Sequence, residues 1–283
     1  MPNIARSYMC RMPLTLCCCK VWLPNNVRMK TRWIQLEEVD STNSFLMAHK
    51  AEYEEELVVV TATHQTAGRG QGGNRWYDQP GDSLLFSMLV HPLAVPVARQ
   101  YLLSMAEALA VREALGNYVE GLQLKWPNDI YWHDRKLSGT LIETAVGREG
   151  LRDVIFGTGI NINQAQFAVD APNPVSLYQI IGHRTDPYEV LQAILTAFPI
   201  YYNKVLTGAA HEVIADYHAA LYRREGFHRY QDATGVFEAR LVQVRPDGRL
   251  ELCDRQGHYR LYGFKEVSYI LPTADPSGPL SAK

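Results

Sequence analysis

The sequence predicts an α+β protein: a large domain on a mixed or largely antiparallel sheet packed with helices, then a small β-barrel-like domain. Three observations lead there. LVVVTAT, Leu57–Thr63, and SLLFSMLV, Ser83–Val90, are β-branched and apolar runs of strand length with no polar face, so both read as buried strands. LQLKW, DIYW, LSGTLIETAV and LRDVIFGTGININ then follow one another across short turns such as HDRK and GREG, a hairpin texture that makes neighbours antiparallel. From Phe227 short alternating strands separated by RPDGRL and DRQGHY run to about Leu271. A module of that size is close to the smallest that folds alone, so it should pack on the larger domain.

The elements follow in order. LEEVDSTNSFLMAHKA gives a strand ending near Val39, helix-start residues Asp40–Asn43 and a short helix through Ala51, with capping as the structural role open to Ser41 and Thr42. Between the two buried strands lies a polar loop of nineteen residues, His64–Asp82, holding five glycines and far longer than a hairpin requires. Val97–Val119 has apolar residues at helical spacing and predicts a long amphipathic helix. After proline-rich APNPVSL come two helical segments, Tyr188–Leu206 and His211–Tyr222. The expected domains are therefore 32–225 and 226–272. The first 36 residues carry six basic side chains and no acidic one, so 1–31 is expected to be a disordered extension, or the true start to be Met29. Residues 273–283 read as a disordered tail.

Composition narrows the function classes. Of 283 residues 47% are apolar and 20% charged, and no run approaches the roughly 18 apolar residues of a membrane span. A net charge of -2 supplies no basic field for nucleic acid, so neither membrane nor DNA is an expected partner. Cys10, Cys17, Cys18 and Cys19 crowd the start and leave Cys253 alone in the body. With no disulfide framework, no C-x2-C spacing and no H-E-x-x-H, the expectation is a reducing, cytoplasmic setting and no protein-built metal site.

HQTAGRGQGGNRW contains G-x-G-x-x-G at Gly68, Gly70 and Gly73, the pattern of a dinucleotide-binding turn. Such a turn needs its last glycine to enter a helix whose N-terminus holds the pyrophosphate, but NRWYDQPGD follows instead, and no Lys-Ser/Thr ends a Walker loop. The segment reads either as a mobile surface loop or as a wrapping loop for an anionic ligand, with Arg69 and Arg75 as fixed charges. In KWPNDIYW, Lys125 stands at a strand end before Pro127, with Asn128 and Asp129 just beyond. It is either a solvated charge or, with Arg69, one half of a clamp on a phosphate and a carboxylate. Asn161, in GTGINI, sits in an apolar strand, where an asparagine often only ties backbone groups together. No G-x-S-x-G elbow occurs, so nucleophilic acyl-enzyme chemistry has no candidate.

STN, HQTAGRGQGGNRW, KWPND, KLSGTLIE and GTGIN, in this order and spacing, resemble the motifs of biotin protein ligases over about Arg32–Leu271. The resemblance implies a class II synthetase-like catalytic domain of the biotin/lipoate ligase type and an SH3-like C-terminal domain. It implies that biotin's carboxylate attacks the α-phosphorus of ATP to give biotinyl-AMP, and that a lysine of a carboxylase's biotin-carrier domain then takes the acyl group, with no covalent enzyme intermediate. Ser41, Thr42, Asn43 and Gln65 resemble the groups that bind biotin's ureido ring, and Gly68, Arg69, Gly70 and Gln71 those over its tail. Arg69 and Lys125 would neutralise the carboxylate and α-phosphate, Asn128 and Asn161 would serve the ATP site, Mg2+ would accompany the phosphates, and Trp76 would cap the loop or simply pack. Gln71 stands where bifunctional bacterial ligase-repressors carry arginine, and upstream of Trp33 there is no room for their helix-turn-helix domain, so a monofunctional ligase without DNA binding is expected. A lipoate or octanoate ligase or transferase, and a noncatalytic biotin-binding sensor, are the alternatives.

Overall fold

A computed structural model describes residues 29–148, 150–168 and 173–271; the expectations of an N-terminal extension and of a tail fall outside them, except that 29–31 lead directly into the first strand. The large domain runs β1 (Thr31–Val39), α1 (Thr42–His49), β2 (Leu57–Gln65), β3 (Ser83–Val90), α2 (Tyr101–Gly116), β4 (Leu122–Lys125), β5 (Asp129–Trp132), β6 (Arg135–Val146), β7 (Leu151–Asn161), α3 (Leu177–Ile181), α4 (Pro187–Leu206) and α5 (Ala210–Ala219). The small domain contributes β8 (His228–Asp232), β9 (Gly235–Val244), β10 (Leu250–Asp254), β11 (Tyr259–Tyr262) and β12 (Val267–Tyr269).

Seven strands form one sheet in the order β1-β2-β3-β7-β6-β5-β4. Only β1 and β2, joined through α1, are parallel; every other neighbour pair is antiparallel, as the hairpin texture requires. The central strands are mostly apolar and buried on both faces because helices cover both sides. Val58, Val60, Leu89 and Ile155 pack against Leu46 of α1. Alternate residues Leu57, Val59, Phe86, Met88 and Phe156 point the other way, into a core completed by Leu103, Leu109, Ile194 and Phe198 of α2 and α4.

The expected helix over 97–119 is shorter at both ends: a 3-10 turn spans Val97–Arg99, and α2 stops at Gly116. The break falls where Pro96 fixes the entry and no side chain caps the first turn. α3 went unread, although Ser176 and Gln179 form a capping box and Gly182 closes it at φ 80. α4 starts on an Asp186 cap with Pro187 in its first turn.

The small domain is a five-stranded antiparallel sheet, β11-β10-β9-β8-β12. Its core, Tyr230, Leu241, Leu250, Leu252 and Val267, belongs to the same hydrophobic cluster as the large domain. Trp126 Nε1 donates to Gly248 O at 2.8 Å, and the Phe264 ring lies 5.5 Å from Trp126 and 6.0 Å from Tyr101. Docking therefore falls at KWPND, beside the motif suspected of chemistry.

Candidate active site

A cavity of about 490 Å³ opens over the sheet where the start of α1, the 64–82 loop, the β4–β5 turn and the centres of β6 and β7 converge, with β12 of the small domain closing one side. Ser41, Thr42, Asn43, Gln65, Arg69, Gly70, Gln71, Lys125 and Asn128 all line it.

One end is polar, neutral and buried. Ser41, Thr42 and Asn43 retain 4%, 3% and 2% exposure, values normal for core side chains and unusual for a helix start. Hydrogen bonds make that burial tolerable. Thr42 donates from its backbone N and its Oγ1 to Gln65 Oε1 at 2.8 and 3.1 Å, and Ser87 Oγ lies 2.7 Å from Thr42 Oγ1 and 2.6 Å from Asn43 Oδ1. Asn43 Nδ2 donates to Glu143 Oε2 at 2.9 Å. The Ser41 and Thr42 hydroxyls make no N-terminal cap bond on α1, so their polarity is turned to the cavity and its neighbours rather than to the helix.

The other end is cationic. Arg69, Arg75, Lys125, Lys136 and Lys265 line the cavity against a single aspartate, Asp129. Asp129 is held by Lys136 Nζ at 2.7 Å. Lys125 Nζ lies 4.7 Å from the Tyr131 ring centre and 5.0 Å from that of Tyr269, a small-domain residue. Burial pushes its ammonium below the ordinary lysine range, with Lys136 and Arg223 adding to the effect and Asp129 opposing it. A desolvated ammonium resting on aromatic faces exchanges them readily for an anion.

The loop between the ends is a narrow hairpin: Trp76 N donates to Gly68 O at 3.0 Å and Gly70 N to Asn74 O at 2.7 Å. Gly73 ends a 3-10 turn, not a dinucleotide helix start, and Asn74 continues extended. Trp76 lies over the cavity floor because Gly159 has no side chain there; a Cβ at 159 would come within 2.4 Å of the indole.

Two expected residues stand elsewhere. Gly68 does not line the cavity; it is pressed against the Trp76 backbone, where a Cβ would meet Trp76 O at 2.6 Å. Asn161 faces away, its Nδ2 donating to Val175 O at 3.1 Å and Lys136 O at 3.4 Å. Several side chains in the cavity or behind its walls, Lys136 among them, escaped the sequence reading. Glu143 shares a β6 face with Gly139 and Leu141, a period-2 signal that was available. Thr140 and Thr158 on the floor both approach the buried carboxylate of Glu107 on α2, at 3.2 and 2.7 Å. Burial pushes Glu107 up to about 7 although both hydroxyls oppose the shift. Lys265 and Tyr269 arrive from the other domain and carry no local signal.

A glycine hairpin over a mixed sheet closes a cavity that is uncharged at one end and cationic at the other, a shape that can accept a ligand with a polar uncharged head and an anionic tail. Residues 36–161, somewhat under half of the chain, match the biotin/lipoate A/B protein ligase family. Among solved structures it is similar to a biotin protein ligase from Aquifex aeolicus in complex with biotin and ATP, with a TM-score of 0.70 and 28% identity over 83% of this chain and 97% of that one. It is 29% identical over 214 residues to the bifunctional ligase/repressor BirA of Bacillus subtilis, covering 73% of this chain and 65% of that protein. It is 36% identical over 156 residues to the biotin–[acetyl-CoA-carboxylase] ligase of Mycobacterium tuberculosis, covering 52% of this chain and 56% of that protein. The alignments thus span somewhat under two thirds of these curated relatives. No helix among the described residues is long and apolar enough to cross a membrane.

Proposed function

We propose that this chain is an ATP-dependent ligase that activates biotin as biotinyl-5'-AMP and transfers the acyl group to a lysine of a carboxylase's biotin-carrier domain. The observation that carries the proposal is the pairing, in one cavity, of an uncharged hydrogen-bonding cluster, buried Ser41, Thr42 and Asn43 with half-buried Gln65, with the cations Arg69 and Lys125. A bicyclic urea matches the first end, since it needs donors and acceptors without charge; a carboxylate beside a phosphate matches the second.

In the first step a carboxylate oxygen bonds to the α-phosphorus and pyrophosphate leaves. Two anions must approach, and charge builds on the phosphorus oxygens, so the work is electrostatic. Arg69 turns from Glu143 to the carboxylate, Lys125 bridges carboxylate and α-phosphate, Gly70 and Gln71 cover the tail, and Asn128 serves the nucleotide end. Asn161 acts there at one remove, by holding the backbone of Lys136. In the second step the carrier lysine's amine bonds to the acyl carbon and AMP leaves, with no group of the enzyme acylated. Mg2+ is proposed to enter on the triphosphate: Asp129 in the cavity and Glu143 beside it are already paired with Lys136 and Arg69, and no cluster of three metal-binding side chains occurs among the described residues. When bound it would neutralise phosphate charge. We propose a cytoplasmic setting, an acetyl-CoA carboxylase or related acceptor, and no nucleic-acid or membrane partner.

The test is pyrophosphate release from ATP with biotin, lipoate or octanoate in parallel. Release with biotin alone is expected; release with lipoate alone would move the substrate to the sister branch of the family, and silence with all three would leave a binding protein.

A further inference from the structure

Lys265 is one of four side-chain-bearing residues among those described with a left-handed backbone, at φ 67. A lysine there is held against its own steric preference, where glycine would be relaxed. It follows Phe264, whose ring rests on Tyr101 and Trp126 of the large domain, so its position is fixed by domain docking. Its Nζ reaches across the domain boundary and donates to Gly72 O at 2.7 Å, on the turn of the ligand loop. Gly72 is itself left-handed, at φ 63, and a Cβ there would lie 2.0 Å from Lys265 Nζ and 2.2 Å from its Cε. The lysine end therefore lies directly against the Gly72 backbone, in the space that a side chain at 72 would take.

Given the adenylation proposed above, we propose that Lys265 is a positioning residue by which the small domain latches the Gln71–Gly73 turn shut, setting how long the activated acyl-nucleotide is retained. The neighbouring Gln71 brings no charge, so it offers the anionic ligand no ion pair, and the latch acts from outside the ligand through the Gly72 carbonyl. The side chain of Lys265 also lines the cavity, which lets an arriving carrier domain compete for it while the adenylate stays in place.

The test uses the full chain as wild type, Lys265→Gly, Lys265→Met and Lys265→Arg. The glycine variant removes the amine and relaxes the backbone, so its Tm should equal or exceed that of wild type, and the methionine variant keeps the backbone and the stem. In the ligand-free protein, trypsin cuts after Arg69 and Arg75, followed by mass, should run about three- to tenfold faster in the glycine and methionine variants, the range expected for one exposed charge-assisted hydrogen bond. Release of preformed biotinyl-adenylate should quicken by a similar factor, and arginine should restore both. Wild-type cutting rates in both variants would overturn the latch. A wild-type protein that makes no adenylate but shows the same trypsin difference would remove the ligase reading and leave the latch standing.

Discussion

Arg69 grips Glu143 with both terminal nitrogens, Nη1 to Oε1 at 3.1 Å and Nη2 to Oε2 at 2.8 Å, while Glu143 also accepts from Asn43. One carboxylate thus ties the loop to the buried polar end. The side chains are 43% and 26% exposed, so the pair contributes little stability, on the order of 0.2–1 kcal/mol. It is a resting position that a ligand carboxylate can displace. Glu143→Ala frees Arg69 for the ligand carboxylate, so it should lower KM for biotin by about two- to fivefold, leave kcat within about threefold and shift Tm little, since what changes is uniform binding. A large kcat loss with unchanged KM, in steady-state pyrophosphate assays, would speak against this role.

In the proposed adenylation Lys125 meets the charge that builds on phosphorus. Lys125→Met should lower kcat for pyrophosphate release by about 10²–10³, the range for removing one preorganised donor, while Tm stays level or rises because a desolvated charge has gone. Near-normal release by the variant would take Lys125 out of the chemistry.

Trp76 over Gly159 closes the cavity floor. Gly159→Ala puts a methyl 2.4 Å from the indole, so the ring must leave. Its fluorescence should shift red and biotin Kd should rise at least about tenfold with the fold kept, because Trp76 sits on a loop while Gly159 sits in the sheet. An unshifted emission spectrum would mean the ring was never seated there.

Glu107 should leave a mark on stability against pH. Its folded carboxyl is pushed up to about 7, above its unfolded value, so the native state binds the extra proton. Stability from this group is complete below the ordinary carboxylate range and falls as pH rises to about 7, by roughly 3 kcal/mol at most. Glu107→Gln should flatten that slope in urea melts between about pH 5 and 8. An identical slope in the variant would assign the pH dependence elsewhere.

The central strands and the loop were legible because burial on both faces leaves β2 and β3 without an alternating polar face and because nineteen residues cannot be a simple turn. Ser41 to Asn43 and Lys125 were legible through local motifs. Asn161 shows the limit of motifs: its identity fits a nucleotide site, but its amide is spent on Val175 and Lys136 carbonyls, which only the fold reveals. Glu107 reaches the underside of the cavity floor, and Lys265 and Tyr269 the cavity itself, through tertiary packing, from a helix's buried face and from another domain. Helix periodicity hides the first, since Glu107 occupies an otherwise apolar stripe, and nothing local points the other two at the site.

The most direct measurement is mass spectrometry of a biotin-carrier domain incubated with this protein, biotin and ATP, with pyrophosphate followed in the same tube. The predicted result is biotin-dependent pyrophosphate release and a carrier heavier by one biotinyl group at a single lysine, both lost in Lys125→Met. A carrier of unchanged mass, with no pyrophosphate above the biotin-free control, would contradict the ligase.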